Sequence, residues 1–174
     1  MTGVQTCALP ISDSVNAHIL RGNALGGLNN LESALAEMEE AIRLDPSRGG
    51  TYTQLGFVHM AMGREADARV ALEKATELDP KSVAAHLALA NFHWAAGRVQ
   101  EAEQQFDLAL QLEPKNEGAN RAMAVFALTT GRTAKAEQYL KQVATSSKSA
   151  SAIFALTDYY VATGRAKEAV ALLE

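Results

Sequence analysis

Cysteine, excess basic charge and long apolar runs are all scarce in this chain, and each scarcity excludes a class of protein. The single cysteine, Cys7, cannot build a disulfide framework. Sixteen Lys and Arg residues stand against 20 Asp and Glu residues, which leaves no basic footprint for a nucleic acid. No apolar run reaches the roughly 18 residues that a membrane-spanning helix needs. We therefore expect neither a nucleic-acid partner nor a membrane span.

Alanine and ordinary apolar residues are what the chain has in quantity. Hydrophobic residues make up 48% of the 174 residues, and alanine is the most frequent residue type. This content is enough to bury the core of one domain or of one array of small repeats. Because alanine has the highest helix propensity and lets helices approach closely, the composition indicates a globular, all-helical protein.

The two ends of the chain read differently from the rest. The first twelve residues, MTGVQTCALPIS, carry no charge and no helical period, and they resemble the translation of a sequencing-library adapter. Such segments are not part of a natural fold, so we expect residues 1–13 to be a disordered, non-native leader on a bacterial metagenomic fragment. The last residues, AKEAVALLE, form a helical pattern with no stop signal, so we also expect truncation at Glu174.

Four sets of residues recur along the chain with a period of 34, or of 33 at a final step. One set is a proline after an acidic residue, one is a glycine before an arginine, and two are alanines. The members are Pro46, Pro80 and Pro114, then Gly63, Gly97, Gly131 and Gly164, then the alanine sets that begin at Ala34 and Ala41. Independent sets that share one period indicate an internal repeat.

On these residues the sequence resembles the tetratricopeptide repeat family. The second repeat matches the family pattern best, through Leu55, Gly56, Gly63, Ala68, Leu72, Ala75 and Pro80. The repeats are residues 15–48, 49–82, 83–116, 117–149 and the partial 150–174. The resemblance implies an all-α fold: a right-handed superhelical solenoid of antiparallel helix pairs, with about 4.7 repeats of this period over residues 14–174.

Departures from the family pattern fall in the first and fourth repeats. In the first repeat Arg21 and Asn29 differ from the pattern, and Asn29 stands in the place of the glycine. The fourth has Val143 in the place of an alanine, lacks the proline and is one residue short. These departures weaken the match of the two repeats to the family pattern without changing the expected fold.

Local signals predict where the helices begin and end. Each repeat is expected to form a first helix and a second helix. Glycine, or Asn29, can adopt the left-handed conformation that closes the first helix. Proline disfavours helix at the residue before it and so ends a second helix. The expected N-caps of first helices are Ser14, Ser82, Asn116 and Ser149. One helix pair cannot bury its apolar face alone, so neighbouring pairs must complete the core.

The sequence shows no catalytic constellation, so we expect a protein that is not an enzyme and has no cofactor. The Gly-Gly pairs at 26–27 and 49–50 lack the Lys-Ser or Lys-Thr of a phosphate loop. His86 and His93 lie two turns apart on one helix face, which with His59 suggests a metal site. The same period explains all four histidines, His18 included, as packing residues, and we expect that role.

In the family, partner contacts come from five places on each first helix, which lines a concave groove. The resemblance implies these groove residues: Asn16, Ile19, Asn23, Thr53, Phe57, Met60, Leu87, Asn91, Trp94, Arg121, Val125, Leu128, Phe154, Asp158 and Val161. Exposed apolar and aromatic clusters mark partner sites. We expect Trp94 and Phe57 to face the groove, the alternative being that they pack between neighbouring helices.

One family binding mode, the clamp for a C-terminal carboxylate, does not match. Asn23 fits that clamp, but Ile19, Gln54, Ala84 and Ala88 occupy its other places. The groove instead suits an apolar helix or an extended segment.

We therefore expect a non-catalytic scaffold that binds an apolar-rich protein or peptide in the concave groove. The alternative is a regulatory or substrate-docking segment of a larger enzyme, such as a glycosyltransferase, a kinase or a protease. We expect a soluble protein of the bacterial cytoplasm or periplasm.

Overall fold

A computed structural model describes residues 14–174, which form ten α-helices and no strand. The helices are α1 (Val15–Gly27), α2 (Leu31–Leu44), α3 (Gly49–Ala61), α4 (Glu65–Leu78), α5 (Val83–Ala95), α6 (Val99–Leu112), α7 (Glu117–Thr129), α8 (Thr133–Ser147), α9 (Ala150–Ala162) and α10 (Ala166–Ala171). The all-α prediction is confirmed. The interpretation of residues 1–13 as a leader falls outside this part of the chain. Across residues 14–174 no helix has the length and apolar content to cross a membrane.

The chain divides into two compact units, of which the first ends at Leu89 and the second begins at Ala90. In the first unit α1 packs on α2, α3 packs on α4, and α2 contacts α3. In the second unit α7 packs on α8 and α9 on α10, while α6 contacts α7 and α8 contacts α9. Each unit is thus built from paired helices, as the repeat predicts.

Small residues let the two helices of a pair cross closely, and the first unit shows this at two glycines. A Cβ atom at Gly22 would lie 2.6 Å from Met38 Cε, and one at Gly56 would lie 2.6 Å from Leu72 Cγ. The repeating alanines of the two second helices, Ala34 and Ala68, are fully buried. Larger side chains here would require the facing side chains or the helices to move.

The turns inside the pairs are left-handed, as predicted. The four repeating glycines have φ between 70° and 75°, and Asn29, which replaces glycine in the first pair, has φ 61°. The N–H of the next residue returns to the helix: Arg64 donates to the carbonyl of His59 at 2.9 Å. This bond satisfies a carbonyl that the helix end would otherwise leave without a partner.

The turns between the pairs also follow the predicted signals. The residues before the three repeating prolines, Asp45, Asp79 and Glu113, leave the helical conformation, with φ between −144° and −133°, and directly follow the ends of α2, α4 and α6. Without a proline, α8 runs for 15 residues to Ser147, and its C-cap residue, Lys148, has φ 49°.

The predicted N-caps are confirmed in all four first helices concerned. The side-chain oxygens of Ser14, Ser82, Asn116 and Ser149 accept the N–H three residues on, at 3.0–3.3 Å. These bonds satisfy backbone donors that have no partner within the helix. They thereby help to fix where these four helices start.

Candidate protein-binding surface

A cavity of about 560 Å³ lies among α7, α8 and α9 of the second unit. Its lining is mostly apolar: Ala124, Val125 and Leu128 from α7, Leu140 and Val143 from α8, and Ala152, Ala155, Tyr159 and Ala162 from α9. Alanine side chains end at Cβ, so this face of α9 leaves space beside α7. The cavity therefore follows from the same small residues that allow helices to pack closely.

Two charged side chains, Arg121 and Asp158, also line this cavity, and they differ in their partners. Arg121 Nη2 lies 2.5 Å from Glu117 Oε1, one turn earlier on α7. Asp158 is exposed and is the only charged residue of α9. Within residues 14–174 it makes no hydrogen bond and no ion pair. The cavity therefore has one compensated positive charge and one uncompensated negative charge.

The first unit has a smaller cavity, of about 350 Å³, built from the same repeat positions. It is lined by Gly22, Asn23 and Gly26 from α1, Leu31 from α2, and Gln54, Phe57, Val58 and Ala61 from α3. The amides of Asn23 and Gln54 supply its polarity, and no charged side chain lines it. The repeat thus places a similar hollow between first helices in each unit, with different chemistry.

Most of the predicted groove side chains are exposed. The exposed fractions of the apolar members are 43% for Phe57, 45% for Val125, 42% for Leu128 and 57% for Phe154. Asn23, Asn91, Arg121 and Asp158 are also exposed, whereas Met60, Leu87 and Trp94 are half-buried. The second-unit cavity brings together Arg121, Val125, Leu128 and Asp158, and the first-unit cavity brings together Asn23 and Phe57.

Thr53 requires a correction. Its side chain is 6% exposed, and its hydroxyl donates to the carbonyl of Gly49 at 3.4 Å. A threonine inside a helix commonly satisfies its hydroxyl in this way. Thr53 is therefore a packing residue of α3 and does not belong to the candidate surface.

Trp94 combines the two alternatives considered for it. Its half-buried indole meets Phe126 edge-on, with ring centroids 5.6 Å apart, and Phe106 at 6.4 Å. Phe106 and Phe126 are themselves 5.3 Å apart and almost fully buried. Trp94 thus anchors an aromatic cluster in the core of the second unit, and only part of its surface is available to a partner.

Three histidines are packing residues, as expected. His18, His86 and His93 are 6–9% exposed. His18 Nδ1 lies 2.7 Å from Glu37 Oε2, and His86 Nε2 lies 3.1 Å from the carbonyl of Pro80. No three His, Cys, Asp or Glu side chains of the described chain are grouped as metal ligands would be.

Two ionic contacts that were not predicted from the sequence join successive repeats of the second unit. Arg132, before α8, pairs with Glu103 of α6, and Arg165, before α10, pairs with Glu137 of α8. Arg165 also lies 4.5 Å above the ring of Tyr160. The repeating Gly-Arg dipeptide was visible, and the two glutamates are separated by the same period. That shared spacing is the signal that could have revealed the pairs.

These contacts lower the pKa of both carboxylates. Hydrogen bonds from Arg165 and Lys141 lower the pKa of Glu137 to about 2, against an ordinary value of 4.5. A hydrogen bond from Arg132 lowers the pKa of Glu103 in the same way. Neither glutamate lines the cavity, and each joins two helices of successive pairs.

Comparison with known proteins agrees with this geometry. Solved structures with the same fold include TTC0263, a thermophilic TPR protein of Thermus thermophilus, with a TM-score of 0.71 and 19% identity over 91% of this chain and 88% of that chain. Pseudomonas aeruginosa PilF has a TM-score of 0.77 and 20% identity over 91% of this chain and 74% of that one. YrrB, described as a TPR protein with an unusual peptide-binding site, has a TM-score of 0.63 and 20% identity over 93% and 84%. Identities this low show a shared fold alone.

The family itself is shown by sequence profiles. No curated protein matches the chain. Tetratricopeptide repeat profiles match residues 15–48, 60–125 and 94–150, and the last two ranges together span more than half of the chain. The chain therefore belongs to the tetratricopeptide repeat family.

Proposed function

We propose that the chain is a non-catalytic interaction module that receives a peptide or a helix of a partner protein against its first helices. Proteins of the tetratricopeptide repeat family are protein-interaction scaffolds. The observation that carries the proposal is the cavity of about 560 Å³ among α7, α8 and α9. Its volume lies within the roughly 300–1,000 Å³ range of ligand pockets in general.

The chemistry of the cavity favours binding. Val125 and Leu128 expose nearly half of their side chains beside it. Covering such surface is favourable by about 25 cal/mol per Å² of apolar area removed from water. A groove between two helices offers this area to the apolar face of a helix or to an extended segment.

The same geometry argues against a reaction. In a nucleophile–base arrangement the base lies within hydrogen-bond reach of the nucleophile and is itself oriented by a third group. Asp158 is the one carboxylate that lines the cavity, and within residues 14–174 no other side chain orients it.

Selection from a library of short random peptides tests the proposal. Wild type is compared with Ala155→Phe, which adds a ring at an exposed position that lines the cavity. The matched control is Leu108→Phe, at a 39% exposed position on α6 outside the cavity. Binding of the enriched peptides is measured by fluorescence anisotropy, and thermal unfolding verifies that both variants fold.

We expect wild type to enrich peptides, Ala155→Phe to weaken their binding about tenfold or more, and Leu108→Phe to leave it unchanged. Failure to enrich any peptide, or equal binding to Ala155→Phe and wild type, would overturn the proposal.

A further inference from the structure

We infer that the second-unit cavity selects protein segments in which a large apolar side chain is accompanied by a nearby lysine or arginine. The inference rests on the proposed function of this surface and adds the chemistry of the partner. It depends on the different states of the two charged side chains at the cavity, Arg121 and Asp158.

The negative charge of Asp158 is the one that a ligand can use. Arg121 is compensated by Glu117, whose carboxylate lies 2.5 Å from the guanidinium. Asp158 has no such partner within the described chain. The first helices α7 and α9 carry no further Asp, Glu, Lys or Arg, so this face has a net charge of one negative unit.

Desolvation then discriminates among ligands. An apolar segment in the cavity removes water from Asp158, and a carboxylate that loses water without gaining a partner costs free energy. A lysine or arginine on the ligand replaces the lost water with an ion pair. An acidic ligand would meet repulsion from Asp158 and would have to compete with Glu117 for Arg121.

The repeat itself shows that the fold does not need a carboxylate at this place. The equivalent residues of the other four repeats are Asn23, Phe57, Asn91 and Val125, each one repeat period apart, with a final step to Asp158 that is one residue shorter. Amide, aromatic and aliphatic side chains thus all serve here, and the first-unit cavity has Phe57 in the place of Asp158. Since Asp158 makes no hydrogen bond or ion pair within residues 14–174, its charge is available for recognition.

Three matched peptide pools test the inference. Each pool contains short peptides with a central leucine or phenylalanine in random sequence, and the pools differ only in a neighbouring residue that is Lys, Gln or Glu. Pools are bound to wild type, Asp158→Asn, Asp158→Lys and the control Asp107→Asn, and the bound fraction is sequenced. Asp107→Asn makes the same change of charge at an exposed position on α6 outside the cavity.

We expect wild type and Asp107→Asn to retain the Lys pool about three- to tenfold better than the Gln pool, and the Glu pool least. Asp158→Asn should lose the preference for Lys over Gln, and Asp158→Lys should favour the Glu pool. Equal retention of the three pools by wild type, or a Lys preference that survives in Asp158→Asn, would overturn the inference and leave the proposed function standing. No retention of any pool by wild type would overturn both.

Discussion

Replacing Gly56 by alanine tests whether close helix packing, and not helix propensity, governs the first unit. Gly56 lies in the middle of α3, where alanine is intrinsically better than glycine by about 1 kcal/mol. Propensity alone therefore predicts that Gly56→Ala stabilises the protein. Packing predicts the opposite, because the new Cβ would lie 2.6 Å from both Cγ and Cδ2 of Leu72.

The magnitude follows from the surroundings of Leu72. This side chain is fully buried and branches at Cγ, so rotation of its end does not remove the overlap. Overpacking of this kind costs about 1–3 kcal/mol. The fourth repeat holds Ala124 and Leu140 at the equivalent positions, both buried, so the repeat can accommodate an alanine opposite a leucine here. We therefore expect a net destabilisation of about 1 kcal/mol for Gly56→Ala, after the gain in propensity.

Gly50→Ala is the matched control on the same helix. A Cβ at Gly50 meets no atom within 4 Å, so propensity acts alone and the variant should be more stable by about 0.5 kcal/mol. Both free energies come from urea unfolding followed by circular dichroism, with the m-value compared among variants because repeat arrays need not unfold in two states. If Gly56→Ala proves as stable as Gly50→Ala, the packing argument is refuted.

Three further predictions concern the second unit and are checked by the same urea unfolding. Trp94→Ala should lower the free energy of unfolding by about 2 kcal/mol through lost aromatic packing. Phe154→Ala, at a position 57% exposed, should stay within about 0.5 kcal/mol of wild type, and equal losses in the two variants would place the indole outside the core. Lys148→Gly should stabilise by about 0.5–1 kcal/mol because φ is 49° there, and an equal gain from Lys148→Ala would contradict that cause. The pKa of Glu137 in the folded protein is lowered to about 2, so its contribution to the free energy of unfolding should be complete above about pH 4.5 and lost as pH falls toward 2. Glu137→Gln should therefore be less stable than wild type near pH 7, and its stability should fall less steeply as pH is lowered. Parallel profiles of stability against pH for the two proteins would argue against the ion pair.

The helix boundaries could be predicted because the interactions that set them are local. The N-cap of Ser149 and the left-handed turn at Asn29 each involve residues within a few positions along the chain. The repeat then multiplied each local signal, so that a substitution such as Asn29 for glycine still indicated the same turn. Even the shorter fourth repeat could be placed, because Ser149 fits as an N-cap only if that repeat lacks one residue.

The exposure of individual groove residues was harder to predict. Thr53 and Phe57 are one turn apart on α3 and were both expected in the groove, but Thr53 is 6% exposed and Phe57 is 43% exposed. Helical period places them on similar faces, whereas the neighbouring helices decide which of the two is covered. The anchoring of Trp94 by Phe106 and Phe126 likewise depends on helices that are distant in sequence.

The amino-acid sequence by itself determined the repeat, the helix pairs and their turns, because φ preferences, caps and apolar periodicity act within a few residues. Only the tertiary structure decided that Glu137 meets Arg165, that alanines of α9 leave a cavity beside α7, and that Arg121 and Asp158 line the same cavity. These features depend on distances between atoms on different helices or on the side-chain conformations that packing permits. For this chain such distances set the chemistry of the surface that we propose binds a partner.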